Sequence, residues 1–448
     1  MGIDNKLLKD VTGGRIVDAL RDINETLGGR PSRGTVYGFH INGLESDPSA
    51  KVTYVADAAG LSPAYMDYAN GVFCWGGWRD AFFMPRPCML KYDGTVDYYL
   101  DEYDHSKRED GTASDVANSS YQGNAMMEWG RGGKIIWLKV VPDVGDPTSA
   151  TVYVADYNVD GTYKCWPFIN GEGTQVAHFY TPMYFGSIVN DGTKDVLRSL
   201  SGMAGSARCK NKNAATERAM AQANNQTKRV WDTEVFADVL LIQYLLVLMG
   251  KSLDTQTVFG QGLHTGGTDA INDAFTSGQH DDKGLFWGTN SGAAATYANA
   301  VKVFGMENFW GFMWRRFAGL VNVNGTELYK LTRGVQDGST ATDYVVSGTA
   351  ADYSGYLTGG SLPSASGSYI TKQAYGSDGS YTPSQVDGTS ATHYCDALWT
   401  NLNAVCYAFR GGTSDAAALV GAWCLGLTAA ASSASWYVGA CPSCKPQS

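Results

Sequence analysis

The stretch VFADVLLIQYLLVLMG, residues 235–250, is apolar nearly all the way round a helix. Such a helix has no polar face to offer water, so it has to be buried on every side. It is also shorter than the roughly 20 residues that span a bilayer, and it contains Asp238 and Gln243. The rest of the chain must therefore wrap around it. Thr233 and Glu234 stand where the helix should start, and Gly250 where it should stop.

The surrounding text is β-like. From Val36 to about Val189, short runs such as KVTYVAD, GVFCWGGW, GTVDYYL, KIIWLKVV and ATVYVADY alternate with turn signals such as YDGT and NVDGT, which reads as a mostly antiparallel region. Glycine supplies 54 of the 448 residues, roughly one in eight against an average of about one in fourteen, so many residues serve turns and irregular loops. Residues 214–226 are polar, Ala-rich and compatible with a connecting helix. Loops and short strands follow the buried helix in VFGQGLHTGG, GLFWGTN, VKVFGMENFWGFMWRRFAGL and ELYKLTRG. Residues 334–392, rich in Gly, Ser, Thr, Asp and Tyr, read either as flexible chain or as an ordered, loop-rich insertion.

Ahead of these elements, Thr12 caps a pattern in which Ile16, Leu20, Ile23 and Leu27 form a short heptad-like seam. This helix either packs on its own domain or docks and oligomerises the chain, and GGRPSRG at 28–34 follows it like a linker. The fold class read from these patterns is α+β.

A net charge of −10 argues against a nucleic-acid partner, because phosphate binding needs clustered Lys and Arg, and against an anionic membrane surface for the same reason. The start, MGIDNKLLKD, has no apolar core or small-residue cleavage site, and Lys6 departs from the myristoylation pattern. A soluble protein synthesised in a cytoplasm without a signal peptide, and without membrane insertion, is expected. Nine cysteines, an odd number without regular spacing, imply no full disulfide framework. Twelve Trp and 26 Tyr lean towards recognition, since these side chains give contact area at low entropic cost.

Catalytic signatures are weak. Gly250-Lys251-Ser252 ends like a phosphate loop, but Leu245 stands where the pattern needs Gly, and a helix precedes it instead of a strand. GQGLHTGG at 260–267 neither follows a clear strand nor opens a helix. The six His form no HExxH pair, and there is no GxSxG elbow; His280-Asp281-Asp282 reads as a solvated loop. Carboxylate pairs for glycoside cleavage stay open, because their spacing is set in space. Cys441-Pro-Ser-Cys444 is a CxxC without the second pair of a zinc site or the βαβ context of a redox motif; with Cys395, Cys406 and Cys424 nearby, it reads as buried thiols, with a structural pair or metal site as the alternative.

Two stretches carry a resemblance. VFGMENFWGFMWRRFAG (303–319) resembles the "DMxGNVWEW" segment of the formylglycine-generating-enzyme branch of the C-type lectin fold, and YAFRGGTSDAAALVGAWCLGL…SWYVGACPSC (407–444) resembles its closing "LRGGSW…R…GFR" segment. The helix at 233–250 takes the place of the early helix of such domains. The same terminal arrangement is similar to the variable proteins of diversity-generating retroelements, including phage tropism determinants. CMLKYDGTVDYYLDEYDHSKREDGTASD, GNAMMEWGRGGKIIW and HFYTPMYFGS resemble modules of phage tail and host-recognition proteins. Trp314-Arg315-Arg316 departs from the acidic end of the first segment, and the branch's copper-binding cysteine pair has no match in Cys424, Cys441 or Cys444, which puts oxidative catalysis in doubt.

The resemblance implies an N-terminal docking helix and linker at 1–34, a β-rich tail-protein domain at 35–205, and a C-type-lectin-like ligand-binding domain at 206–448 carrying the insertion at about 334–392. It implies a non-enzymatic phage or prophage receptor-binding protein, exposed on the virion tail as a homotrimer. Its partners would be a host-cell surface receptor, protein or glycan, and other tail proteins. A formylglycine-generating-type oxidase, a carbohydrate-active tail enzyme and a purely structural tail component are the alternatives. Arg410, Gly411 and Gly412 read as structural: a five-donor fork followed by two residues free to take positive φ. Display begins at Thr413. Trp399, Thr400, Asn401, Asn403, Thr413, Ser414, Asp415, Trp423, Leu425 and Trp436 are the expected ligand face, combining rigid aromatic anchors with adaptable polar residues. No catalytic residue, metal ligand or cofactor is indicated, with calcium left open.

Overall fold

The computed structural model describes residues 34–226, 230–332 and 355–446. The expected helix at 12–27, nearly all of its linker and residues 334–354 of the insertion lie outside the described residues. The chain is mostly β-sheet with few helices, 13% helical and 37% strand, on the β-rich side of the α+β class. No helix among the described residues is long and apolar enough to cross a membrane.

The helix Phe236–Gly250 is the pivot, and all fifteen of its residues are buried. Its two polar side chains are both satisfied. Asp238, in the first turn where the helix dipole favours an anion, pairs with Lys445 at 2.8 Å. Gln243 donates to the Ala422 carbonyl at 2.6 Å and accepts the Tyr381 hydroxyl at 3.0 Å. The ends differ from the sequence reading. Thr233 finishes the strand Trp231–Thr233, and Val235 is the N-cap without a side-chain cap bond. Gly250 is the last helical residue, while Lys251 takes the left-handed cap at φ 51°. Gly250 is required for contact, since a Cβ there would lie 2.9 Å from Val258 Cγ1.

Three sheets surround this helix. A four-stranded antiparallel sheet, in the order Val52–Ala56, Val36–Ile41, Asp146–Ala155, Trp137–Asp143, lays Phe39 on Tyr244 with ring centroids 6.4 Å apart. A six-stranded antiparallel sheet runs Trp231–Thr233, Pro442–Cys444, Phe179–Pro182, Gly123–Trp129, Arg86–Lys91, Val96–Tyr99. The stretches 35–205 and 206–448 thus meet in one sheet, and their apolar side chains share one core.

The largest sheet has nine strands. Eight follow the order Leu357–Ser361, Thr326–Tyr329, Trp314–Val323, Val405–Gly411, Gly421–Ala429, Ala397–Thr400, Ser366–Tyr375, Tyr381–Val386, and Val438–Gly439 pairs alongside Trp314–Val323. The sheet curls back on itself, because Thr382 near one end donates to Glu327 near the other at 2.7 Å. Phe236 packs inside the curl against Phe317, Tyr329 and Tyr381. From Leu357 onward the Gly/Ser/Tyr-rich stretch therefore supplies three strands of the main sheet. Its tyrosines explain the order: Tyr375 and Tyr381 are buried in the core.

The hairpin turns repeat one local device. At Asp93-Gly94-Thr95, the Asp93 carboxylate accepts the Thr95 amide at 2.9 Å and its hydroxyl at 2.6 Å. Asp110-Gly111-Thr112, Asp160-Gly161-Thr162 and Asp191-Gly192-Thr193 close in the same way.

Glu327 is wholly buried, and burial pushes its carboxyl from the ordinary 4.5 up to about 8, with the Thr382 hydroxyl pulling the other way. The folded chain holds this proton more tightly than the unfolded chain does. Its stabilising contribution is therefore complete below pH 4.5 and is lost as pH rises through about 8. Glu327→Gln should reduce the fall in unfolding free energy between about pH 6 and about pH 9 by about 3 kcal/mol. Urea titrations at both pH values check this, and equal slopes for variant and parent would contradict it.

Candidate functional site

Arg410 lies within a run of buried residues in the strand Val405–Gly411 and points inward. Its guanidinium donates to Glu234 Oε1 at 2.9 Å and to the Phe309 carbonyl at 2.7 Å, and it lies over the Phe309 ring at 3.9 Å. Arg315, from the neighbouring strand, approaches the other Glu234 oxygen at 3.5 Å and donates to the carbonyls of Glu307 and Asn308. Burial pulls Arg410 down to about 10 and Glu234 pulls it back up, so it stays charged at neutral pH. Gly411 follows at φ 87° and Gly412 at φ 79°. A Cβ on Gly412 would sit 2.5 Å from Val420 Cγ1, so the turn closes only around glycine.

The connection from 412 to 420 is held chiefly by its main chain. Ser414 N–H donates to Phe312 O at 3.0 Å, Gly267 N–H to Ser414 O at 2.9 Å and Ala417 N–H to His264 O at 2.7 Å. A second loop, 430–437, is tied in the same manner: Asn211 N–H donates to Ser435 O, and Arg316 donates to Ser433 O, both at 2.9 Å. Arg316 is in turn fixed by a fully buried ion pair with Glu217 at 2.6 Å. Backbone groups are present whatever the side chain, so these loops keep their course when side chains change.

Between the two loops opens a cleft of about 670 Å³, within the size range of ligand sites. Trp314 and Trp399 meet edge to face at 5.2 Å in it, and Trp314 lies 6.3 Å from Phe409. Gly426 lies beneath these rings, where a Cβ would meet Phe409 at 3.4 Å and Trp314 at 3.5 Å, ordinary contact distances. Asp415 and Ala416 come from the first loop, Ser433, Ala434, Ser435 and Tyr437 from the second, and Thr428 and Ala429 from the strand end between them. Asp415 is the one ionisable carboxylate in the lining, and no His, Cys, Lys or Arg joins it. The arrangement offers flat apolar faces and hydroxyls for binding, with no acid–base pair.

Of the expected ligand face, Trp399, Thr413 and Asp415 line this cleft, and Trp436 packs edge-on against Tyr437 at 5.4 Å just beside it. The other assignments are corrected. Trp423 is 1% exposed and packs among Tyr244, Tyr381 and Tyr394; Leu425 is 2% exposed; Ser414 is fully buried where a Gly267 Cβ would strike it. Thr413 is itself nearly buried, with its hydroxyl donating to Asp415, so the exposed stretch begins at Asp415 and not at Thr413. Thr400 is spent on structure, donating to Pro363 O and accepting from Ala365 N–H. Asn401 and Asn403 are exposed in the following turn and do not line the cleft. Trp314 and Tyr437 were missed. Their only signal was adjacency, to Arg315 in one case and Trp436 in the other.

The other motifs also take definite places. Gly250-Lys251-Ser252 lies at the C-terminus of its helix, the wrong end for a phosphate. His280-Asp281-Asp282 is a solvated loop only at Asp282, which is exposed: His280 is buried, and the half-buried Asp281 carboxylate accepts the hydroxyls of Tyr184 at 2.5 Å and Ser201 at 2.6 Å. Burial and the nearby Glu307 push Asp281 up to about 6, and burial pulls His280 down to about 3. Cys395, Cys406, Cys424 and Cys441 are buried free thiols, Cys444 is buried as well, and burial pushes Cys441 up to about 12. No metal-ligating cluster occurs among the described residues.

This division between frame and surface predicts opposite stability effects. Trp423→Ala should cost about 3–5 kcal/mol as a core cavity, and Arg410→Ala a similar amount by removing one of the two guanidinium groups that hold Glu234. Asp415→Ala should cost under about 0.5 kcal/mol. Chemical denaturation of the three variants measures this, and a comparable loss for Asp415→Ala would contradict the division. No protein-family model matches the chain and no curated protein sequence matches it, so the cleft is defined by its own geometry.

Proposed function

We propose that this chain is the receptor-binding protein of a phage or prophage tail, with the cleft between Trp314 and Trp399 as its host-recognition face. The observation that carries the reading is the contrast at the cleft wall: small or exposed side chains at 415, 416, 428 and 433–435 ride on loops held through main-chain bonds. Fixed backbone with free side chains is what an evolvable binding surface needs. Trp314, Trp399 and Tyr437 supply rigid contact area that needs no particular partner chemistry.

In this reading the region from 206 onward is a C-type-lectin-like domain, its buried helix lying within a curled sheet and its Arg-Gly-Gly turn leading into the variable face. Retroelement-driven variation would act on the same positions. A homotrimeric tail tip would raise moderate single-site affinity by avidity. The cysteines of the oxidase reading give it no support at this site, because none of them lines the cleft.

Fluorescently labelled protein titrated onto whole host bacteria tests the proposal. Joint replacement of Trp399 and Tyr437 by Ala should weaken attachment at least ~10-fold, with near-ultraviolet circular dichroism showing that the core persists. Unchanged attachment by a folded double variant would remove the cleft from recognition. Attachment by neither protein would favour a purely structural tail component.

A further inference from the structure

A second cleft, of about 490 Å³, opens among four stretches distant in sequence: residues 71–84, the loop at Glu102 and Tyr103, the turn at Arg131, and residues 282–287. Its floor is a ring stack. Phe73 lies parallel to Phe286 with centroids 4.3 Å apart, and Trp75 meets Phe286 edge-on at 5.4 Å. The walls are locked together from below. His105 N–H donates to Asp281 O at 2.9 Å and Gly284 N–H to Tyr103 O at 3.1 Å, while Asp281 is anchored by Tyr184 and Ser201. Buried Lys302 reinforces the same junction, reaching His280 O at 2.7 Å and His105 Nδ1 at 3.1 Å. The buried polar cluster at His280-Asp281 thus acts as a foundation for this cleft.

Above the floor, aromatic faces remain open: Tyr103 is 58% exposed, and Trp75 and Trp287 are half-buried. The Arg79 guanidinium stands 5.2 Å from the Trp75 ring and 5.3 Å from that of Tyr103. Arg131 pairs with Glu102 at 2.8 Å, and Lys283 with Asp282 at 3.2 Å. Counting Asp80, three cations face three carboxylates, so the lining has no net charge with which to hold a phosphate or a polyanion. A lipid chain fits no better, because covering these ion pairs with hydrocarbon would cost several kcal/mol per ion.

A ligand with CH faces for the rings and a rim of hydroxyls, each both donor and acceptor, satisfies the whole lining. The guanidinium and ammonium groups donate to hydroxyl oxygens, and the carboxylates accept hydroxyl hydrogens. We infer that this cleft binds an uncharged carbohydrate, at a site separate from the Trp314–Trp399 cleft and independent of the role proposed for it.

The full chain is titrated by calorimetry and saturation-transfer NMR with neutral glucose, galactose and N-acetylglucosamine oligosaccharides, and in parallel with sialylated and uronate-containing ones. Neutral oligosaccharides should bind with Kd of ~0.1–1 mM, as a few stacked rings allow. Tyr103→Ala and Trp287→Ala should each weaken binding at least ~10-fold, and Trp399→Ala should leave it unchanged. Tyr103 is exposed, so its variant keeps the fold and reads binding alone. Absence of binding by every neutral sugar, preference for the charged ones, binding that survives Tyr103→Ala, or an equal loss in Trp399→Ala would each overturn the inference. Cell attachment through the first cleft succeeds or fails separately, because its variants lie elsewhere.

Discussion

One buried carboxylate ties the central helix to the largest sheet. Glu234 is 1% exposed, immediately precedes the central helix, and sits between two guanidinium groups from adjacent strands of the largest sheet. Its main-chain carbonyl also accepts Ala318 N–H at 2.9 Å. A charge so placed is tolerable only with its partners present, and removing one from such a group costs about 3–5 kcal/mol. The second positive charge is offset by the carbonyls of Glu307, Asn308 and Phe309. The helix, the strands bearing Arg315 and Arg410 and the 307–309 turn therefore move as one body.

The cleft inherits its geometry from that body. Trp314 precedes Arg315, and Gly411-Gly412 follow Arg410, so both walls begin one residue from a locked guanidinium. Arg316 and Glu217 perform the same service for the 430–437 loop. From Asp415 in the first loop and at 433–435 in the second, the side chains are small and partly or fully exposed, and the loops are held through main-chain groups. Buried frame and exposed wall alternate within a single stretch of chain.

The all-apolar helix was legible because its pattern is local and leaves a single option, burial. The Arg-Gly-Gly turn was legible for a related reason: five donors demand partners, and paired glycines demand unusual φ. The strands flanking Asp-Gly-Thr turns follow the same local logic. Which aromatic lines the cleft was not legible. Gly421–Ala429 is buried on both faces through Leu427, so it lacks the alternation that would separate an inward Trp423 from an outward neighbour. Likewise, the burial of Asp281 depends on Ser201 and Tyr184, 80 and 97 residues away. The six-stranded sheet depends on a register between Tyr180 and Cys444 that no local pattern announces. Non-local pairing placed the second cleft out of reach of sequence reading altogether.

The central claim is that side chains at the cleft wall are free while the frame beneath is not. Simultaneous randomisation of Asp415, Ala416, Thr428, Ser433, Ala434 and Ser435, sorted by protease resistance and then by attachment to a panel of bacterial strains, tests it most directly. The account predicts that most variants remain folded and that their strain preferences differ. Loss of folding as frequent as in a parallel library at Glu234, Arg315 and Arg410 would contradict it.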